Sequence, residues 1–418
     1  MNAKMRPEYK LTEVGVIPED WDVATISETM KLINGCVFKP SEWSNFGLPI
    51  IRIQNLNDAD ASFNYFPGLI NERNRVVEGD LLFAWSGTLG SSFGARTWSG
   101  PEGVLNQHIF KVIPDRKKLT AEFAYIVFSR IEEDIAKKAH GFKSSFVHVK
   151  KSDLDSTFLP VPSIDEQRAI AAALSDMDAL ISGLDKLIVK KLDIKQATMQ
   201  QLLTGQQRLP GFSGEWEIKT LFEIAERKKE LFDDGDWIES EHITNQGVRL
   251  IQTGNIGIGK FVEKDVRRYI YENSFTSLRC KELRRGDLLL CRLADPAGRA
   301  CVLPDIGEEK IVTAVDVTIF RPAMDTADRV FLSNLFSTPE WFRAVSDRSG
   351  GTTHKRISRG ALGRISIKIP PVQEQTAIGT ILSDMDSELA TLDTRRDKAR
   401  QIKQGMMQEL LTGRIRLI

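Results

Sequence analysis

The stretch EQRAIAAALSDMDALISGLDKLIVKKLDIKQATMQQLLTGQQRL, residues 166–209, decides the organisation of this chain because it occurs twice. Residues 374–417 read EQTAIGTILSDMDSELATLDTRRDKARQIKQGMMQELLTGRIRL, at a constant offset of 208 and without a gap. Of the 44 aligned positions, 23 are identical, whereas composition alone gives roughly three. A repeat of this strength indicates that the 418-residue chain consists of two related halves.

Each copy is predicted to form one long α-helix. Ser163 and Glu166 stand at the spacing of a capping box, in which the two residues satisfy each other's free backbone N–H groups. Pro371 suits the first turn of the second helix, where its missing N–H costs nothing. Gly205 and Gly413 suit the left-handed turn that ends a helix. At 1.5 Å per residue, about 40 residues make a rod of roughly 60 Å.

An apolar stripe with 3–4 spacing runs along both predicted helices, as in the seam of a coiled coil. Its members are Ile170, Leu174, Met177, Ile181, Leu184, Ile378, Leu382, Met385, Leu389 and Leu392. A helix of this length with one apolar stripe needs a partner along its full length. The alternative, a helical hairpin within one ordinary domain, is disfavoured because about 160 residues separate the two copies.

Weaker repeats occupy the segments before each rod. Ile51–Asn55 parallels Ile251–Asn255, and Gly79–Leu82 parallels Gly286–Leu289. Short β-type runs between turn residues predict strands at 50–53, 81–84, 109–113, 250–253, 288–291 and 315–320. We therefore predict the order globule, rod, globule, rod, with boundaries at 1–160, 161–208, 209–368 and 369–418.

Composition excludes several classes of protein. An apolar content of 41% excludes a largely disordered chain, and no apolar run approaches the length of a membrane span. The four cysteines and five histidines lack the spacing of a disulfide frame or a metal site, which predicts no bound metal and free thiols in a reducing cytoplasm. The 57 basic and 57 acidic residues cancel, but basic residues lie in the globules while acidic ones such as Asp176 and Asp384 mark the rods.

The order of globules and rods, together with Gly79–Leu82, Gly286–Leu289 and Pro370–Gln375, resembles the specificity (S) subunit of Type I restriction–modification systems over essentially the whole chain. The resemblance implies an α+β fold with α/β-type globules. Two similar target recognition domains would be separated by two long antiparallel coiled-coil helices, with pseudo-two-fold symmetry. Each domain would read one half of a bipartite, asymmetric target with a fixed spacer in double-stranded DNA, as part of host defence against foreign DNA.

The resemblance also implies partners for this chain. They are two methyltransferase (modification) subunits and the restriction (translocase/nuclease) subunits, in the cytoplasm of a bacterium or archaeon and with no membrane contact. S-adenosylmethionine, ATP and magnesium would be bound by those other subunits, and no cofactor by this chain. The alternative from the sequence is a coiled-coil adaptor whose globules bind proteins rather than DNA.

Candidate DNA contacts follow from side-chain chemistry, since Lys, Arg, Ser and Thr suit phosphates while Arg, Asn and Gln suit base edges. In the first globule they are Lys39, Arg52, Gln54, Asn55, Ser86, Thr88, Lys143, Ser144, Ser145 and Lys150. In the second they are Gln252, Asn255, Arg292, Thr352, Thr353, His354, Lys355 and Arg356. The glycine-flanked runs within 141–145 and 350–356 are interpreted as phosphate-binding loops, with a solvated turn as the alternative.

No catalytic residue is predicted, although two motifs resemble those of enzymes. Gly254–Lys260 satisfies Gly-x4-Gly-Lys, but Phe261 stands where a Ser or Thr coordinates Mg²⁺. Asp295–Ala297 resembles the Asp-Pro-Pro-aromatic word of amino-methyltransferases but lacks its second proline and its aromatic residue. The glycine run is therefore interpreted as a β-turn, with an ATP-binding enzyme as the alternative.

Overall fold

A computed structural model describes residues 9–58, 60–139, 146–293, 296–351 and 355–417. The chain divides into two compact units, and each contains one globule and parts of both long helices. The first unit comprises residues 1–184 and 395–418, and the second comprises residues 185–394. The four-segment division by chain order remains a prediction.

The first unit is built around two four-stranded sheets. Its elements, with the first long helix given to its end, are β1 (Tyr9–Thr12), β2 (Gly15–Pro18), β3 (Asp22–Thr25), α1 (Ile26–Thr29), β4 (Met30–Asn34), β5 (Leu48–Ile51), α2 (Ile53–Asn57), β6 (Asn64–Phe66), β7 (Arg75–Val76), β8 (Leu81–Ala84), β9 (Ser86–Thr88), β10 (Gly94–Thr97), β11 (Gly103–Leu105), β12 (Ile109–Pro114), α3 (Ala121–Ala139), β13 (Phe146–His148), α4 (Lys151–Asp155), β14 (Phe158–Val161) and α5 (Ile164–Leu203).

The central strand of the first unit is β8, which is buried on both faces. It lies in the antiparallel sheet β10-β8-β12-β4, while the second sheet has the order β6-β5-β11-β7 with β5 and β11 parallel. Leu81 and Phe83 pack into the core under α3, and Leu82 and Ala84 pack into a separate core against the second sheet. Because both faces are covered, the strand reads as a continuous apolar run rather than an alternating one.

The second unit repeats this arrangement. Its elements, with the second long helix given to its end, are β15 (Glu217–Thr220), α6 (Leu221–Ile224), β16 (Phe232–Asp234), β17 (Ile243–Thr244), β18 (Val248–Ile251), β19 (Arg268–Ile270), α7 (Glu272–Ser277), β20 (Leu288–Cys291), β21 (Ala300–Val302), β22 (Ile311–Thr313), β23 (Val317–Phe320), α8 (Arg329–Leu335), α9 (Pro339–Ser346), α10 (Arg359–Gly363), β24 (Ser366–Ile369) and α11 (Val372–Leu410).

Strand β20 occupies in the second unit the place that β8 has in the first. The sheets are β16-β23-β20-β21 and β17-β19-β18-β22, and β18 pairs in parallel with β22. Leu288 and Leu290 belong to one core, and Leu289 and Cys291 to another. The single long α3 of the first unit has two shorter counterparts here, α8 and α9, separated by a turn at Thr338, whose hydroxyl accepts from the backbone N–H of Trp341.

The predicted strands are found, with one systematic difference. Each of the six predicted runs contains a strand, but the runs at 50–53 and 250–253 end as strands at Ile51 and Ile251. The chain then enters a short helical turn because the side-chain oxygens of Asn55 and Asn255 accept from the backbone N–H groups of residues 52 and 252, both at 3.0 Å. The Gly254–Lys260 run is the predicted turn, since Ile256 pairs antiparallel with Phe261.

Within the first unit, α5 and α11 run antiparallel. Asp178 of α5 pairs with Lys403 of α11, with 2.6 Å between Oδ1 and Nζ. Nearer the start of α5, Glu166 accepts from Arg416, with 2.8 Å between Oε2 and Nη2. Residue numbers therefore rise along one helix as they fall along the other.

The same antiparallel pairing occurs within the second unit. Lys191 of α5 pairs with Glu388 of α11 at 2.7 Å, and one turn further on Lys195 pairs with Asp386. Glu374 at the start of α11 accepts from Arg208, which follows the end of α5, at 2.6 Å. Ion pairs thus define the helix register inside each unit.

The predicted apolar stripe lies largely inside the protein. Ile170, Leu174, Ile378, Leu382, Leu389 and Leu392 are buried, and Met177, Ile181, Leu184 and Met385 are half-buried. Gly205 and Gly413 adopt the left-handed conformation expected at helix ends, with φ of 71° and 66°.

The predicted capping box at the start of α5 is wrong in one half. The Ser163 hydroxyl accepts from the backbone N–H of Glu166 at 3.3 Å. The Glu166 carboxylate does not return to Ser163 but accepts from Trp21 Nε1 at 2.9 Å and from Arg416. The carboxylate bonds to these distant partners because hydrogen bonds from an arginine and an indole stabilise a fully buried charge more than one backbone N–H does.

In each unit, the repeated Glu-Gln pair forms a buried clamp that joins the long helix to the globule. Gln167 accepts from the backbone N–H of Thr120 at 2.9 Å and donates to the carbonyl of Pro162. Gln375 accepts from the backbone N–H of Asp328 at 3.0 Å and donates to the carbonyl of Pro370. The glutamate and glutamine that open each repeat are therefore buried and join the helix to its globule through hydrogen bonds.

Candidate nucleic-acid interface

The shared Gly-Asp-Leu-Leu motif forms a turn at the start of the central strand. Gly79 and Gly286 have φ of 89° and 87°, a conformation that favours glycine. Asp80 accepts from the backbone N–H of Val77 and Asp287 from that of Arg284, both at 2.8 Å. Asp80 also forms an ion pair with Lys111 of β12 at 2.7 Å, and Asp287 forms one with Arg321, the residue after β23, at 2.6 Å. The motif therefore serves folding.

Two predicted base readers, Asn55 and Asn255, are turned inward. Both are buried, and both cap the turn after the strand. The amide nitrogen of Asn55 donates to the carbonyl of Ala61 at 3.1 Å, and that of Asn255 donates to the carbonyl of Val262 at 2.9 Å. Since donor and acceptor are used internally, the prediction that these side chains face DNA is corrected to a role in the loop.

The residues before these asparagines are more accessible. Arg52 is half-buried, stacks over Trp43 at 5.2 Å and donates to Asn64 at 3.0 Å. Gln54 is exposed and donates to the carbonyl of Ser62 at 3.3 Å, and Gln252 is exposed. These three side chains remain candidates for DNA contact.

Among the predicted phosphate contacts, the described lysines Lys39, Lys150 and Lys355 are all exposed. The other predicted phosphate contacts Lys143, Ser144, Ser145, Thr352, Thr353 and His354 lie outside the described residues. Ser86 is buried in β9 opposite His148, and Thr88 is half-buried opposite Phe146. Ser86 thus faces the interior, and the prediction that it contacts DNA is wrong.

Three side chains that were not among the site predictions meet where β8 ends in the first unit. Trp85, directly after β8, lies 5.3 Å from His108 and 4.7 Å from His148, measured between ring centroids. Both histidines are exposed, and the indole stacks on the buried ring of Phe110 at 5.7 Å. The result is an aromatic surface carrying two imidazoles.

The second unit has different side chains at the three equivalent places, which are Arg292, Asp316 and Arg356. The backbone frame is the same, because Trp85 N donates to the carbonyl of His108 and Arg292 N to that of Asp316, at 3.2 and 2.8 Å. Similarly, the carbonyls of Trp85 and Arg292 accept from the residues after His148 and Arg356, both at 3.0 Å. Of the three, only Arg292 follows a word shared by both halves, Gly-Asp-Leu-Leu, and only the strand pairing brings the three residues together.

Arg292, a predicted DNA contact, is buried among internal partners. Its guanidinium pairs with Asp234 at 3.1 Å and donates to the carbonyls of Ile357 and Val315. Burial lowers the pKa of Arg292 from its usual value, while the Asp234 carboxylate acts in the opposite direction. The prediction that Arg292 contacts DNA is therefore corrected, because its guanidinium is buried against internal partners. Arg356, by contrast, is exposed and pairs with Asp316 at 2.7 Å.

Other kinds of site find little support in the described part of the chain. No group of three or more His, Cys, Asp or Glu residues there is arranged to hold a metal ion. The four cysteines are free thiols, and burial raises the pKa of Cys301 to about 12. No described helix is long and apolar enough to cross a membrane.

Comparison with known proteins identifies the family. Residues 18–192 and 213–401 match the Type I restriction modification DNA specificity domain. The Type I restriction enzyme MjaVIII specificity subunit of Methanocaldococcus jannaschii is 25% identical over 417 residues, covering 96% of this chain and 94% of that protein. The EcoBI specificity subunit of Escherichia coli is 24% identical over 389 residues, covering 87% and 78%.

A solved structure shares the fold. The Type I restriction-modification S subunit from M. genitalium superposes with a TM-score of 0.57 at 16% identity, covering 97% of this chain and 99% of that one. Each domain match falls on one of the two globules together with part of the helix that follows it. The chain therefore belongs to the family of Type I restriction–modification specificity subunits.

Proposed function

We propose that this chain reads a bipartite, asymmetric DNA target, with one half-site for each globule. The supporting observation is the shared backbone frame at the ends of β8 and β20, which carries an aromatic and imidazole surface in one unit and an arginine–aspartate surface in the other. Equivalent surfaces with different donors and acceptors select different base sequences. Half-sites of different sequence follow from this difference.

The spacer between the half-sites is proposed to depend on the long helices. The ion pairs described above mark one antiparallel register within each unit, and the buried apolar stripe holds the helices in it. Deleting one heptad from both α5 and α11 keeps the apolar seam and shortens the pair by about 10 Å. We expect the spacer in the methylated target to shorten by about three base pairs. An unchanged spacer overturns this part of the proposal.

The chain is further proposed to act without catalysis of its own, as the scaffold for two methyltransferase subunits and, with them, the restriction subunits. Four large apolar side chains of α5 within the second unit are exposed, namely Leu187, Val189, Leu192 and Ile194. The helical period places Leu187 and Ile194 on one face of α5 and Val189 and Leu192 on the opposite face, and we propose that these apolar pairs contact the partner subunits. S-adenosylmethionine, ATP and magnesium are assigned to the partner subunits.

The test is methylation mapping in cells that express this chain with its methyltransferase partner. A two-part methylated motif that disappears when this chain is omitted supports the proposal. DNA binding by the purified complex is expected to weaken steeply with salt and to give a footprint in two parts. Methylation that is independent of this chain, together with protein binding that needs no DNA, favours an adaptor and overturns the proposal.

A further inference from the structure

We propose that Arg356, ion-paired with Asp316, reads a guanine in the half-site recognised by the second globule. This inference rests on the proposed function and assigns a base-reading role to one pair of residues. The two side chains come from separate elements, Asp316 just before β23 and Arg356 in the segment before α10. Strand pairing places both beside the end of β20.

The geometry of the pair leaves the guanidinium available to a ligand. One terminal nitrogen of Arg356, Nη2, lies 2.7 Å from Oδ1 of Asp316, and the arginine side chain remains 47% exposed. Oδ1 of Asp316 is buried and has no hydrogen-bond partner among the described residues, so the contact is an ion pair that leaves N–H donors of the guanidinium available. The ion pair therefore holds the arginine head group beside the end of β20 in advance of binding.

Stability does not explain the pair, because an ion pair between partly exposed side chains contributes little to folding. Arg292 provides the contrast within the same cluster. It is 3% exposed and makes its contacts with Asp234 and backbone carbonyls, as expected for a structural arginine. The cluster thus contains one arginine that supports the fold and one that faces outward.

The chemistry of the pair favours a base edge over a phosphate. A carboxylate beside a phosphate would be repelled, whereas a G·C pair presents acceptors on guanine and a donor on cytosine in the major groove. Arginine donates to guanine O6 and N7, and a carboxylate accepts from cytosine N4. Arg356 and Asp316 together are complementary to that pattern.

The first globule lacks this combination. Its equivalent positions hold His108 and His148 around Trp85, with neither a guanidinium nor a carboxylate. The guanine requirement should therefore appear in one half-site through this mechanism, and substitution of Arg356 should leave the other half-site unchanged.

The experiment uses the full chain expressed with its methyltransferase partner, and sequencing reads the methylated motif. Arg356→Lys keeps the positive charge but removes bidentate donation, and Arg356→Ala removes both. Both variants are expected to relax discrimination at one G·C position by about ten- to a hundred-fold. Asp316→Asn is expected to relax the same position less. Arg285→Ala is the matched control, because Arg285 is an exposed arginine before the opposite end of β20.

The outcomes separate this inference from the proposed function. If the wild-type chain directs no two-part motif, the proposed function fails. If that motif is present but Arg356→Lys retains it in full, or Arg356→Ala lowers methylation uniformly at all sites, Arg356 is not a base reader. A relaxed position that holds an A·T pair in the wild-type motif also overturns the inference.

Discussion

The two units are alike where they fasten helix to globule and different where the central strand ends. In both, a buried glutamate at a helix start accepts from an arginine stacked over a tryptophan, Arg416 over Trp21 in one unit and Arg208 over Trp216 in the other. At the strand ends, the first unit has aromatic and imidazole groups, whereas the second unit has an arginine–aspartate pair at the equivalent positions. The contacts between helix and globule are thus equivalent in the two units, whereas the outward surfaces differ.

The largest expected effect concerns the shared helix core. Leu174 and Leu382 occupy equivalent repeat positions, and both are buried in the core of their own unit. Replacing either with alanine is expected to destabilise its unit by about 3–4 kcal/mol, through lost burial and the cavity left behind. Hydrogen exchange measured by mass spectrometry reports the two units separately. Unequal losses of stability in the two variants would show that the two cores are not equivalent. Leu180→Ala, at an exposed position, serves as the control.

The clamps are expected to differ in strength. Glu166→Ala leaves Arg416 without its buried partner and removes the acceptor of Trp21 Nε1, at a cost of about 3 kcal/mol. Glu374→Ala is expected to cost less, since no described partner accepts from Trp216 Nε1. Denaturant unfolding of both variants, with the corresponding glutamine variants as controls of similar shape, measures the difference. A greater loss for Glu374→Ala would contradict it.

The Gly-Asp-Leu-Leu turns offer a smaller contrast. Asp287 is nearly inaccessible and receives two hydrogen bonds from Arg321, whereas Asp80 pairs with the single ammonium of Lys111. Asp287→Asn is therefore expected to cost about 2 kcal/mol and Asp80→Asn about 1 kcal/mol. Thermal unfolding tests this order, with the exposed Asp305→Asn as control. Equal shifts would show that the second arginine bond adds nothing.

The smallest expected effect is one of pH. The hydrogen bond from Arg416 holds the pKa of Asp20 below its usual 3.8, so the contact stabilises the first unit above that value and is lost as pH falls below it. Arg208 has backbone carbonyls of Ser213 and Gly214 as further partners, and these do not titrate. Acid unfolding of the first unit should begin at a lower pH than in Asp20→Asn. Coincident acid profiles would exclude a contribution from Asp20.

Much of the architecture was predictable because it depends on local patterns. Apolar spacing and terminal glycines predicted the two helices, and apolar runs between turn residues predicted strands β8 and β20 with the bounds that the structure shows. The site was predicted less well. The exposed predictions are Lys39, Lys150, Lys355 and Arg356, as expected, whereas the buried ones are Asn55, Asn255, Ser86 and Arg292. The type of a polar residue does not reveal whether the folded chain provides it with a buried carbonyl or carboxylate partner.

The sequence by itself determined the internal repeat, the long helices, the two globules and the family, because these follow from the spacing of apolar residues and from motifs that occur twice. Only the tertiary structure decided which polar groups face outward. Asp234 reaches Arg292 and Asp316 reaches Arg356 through pairing between strands and segments far apart in the chain. Such partners are set by sheet register, which decides which charged groups from distant parts of the chain lie beside one another.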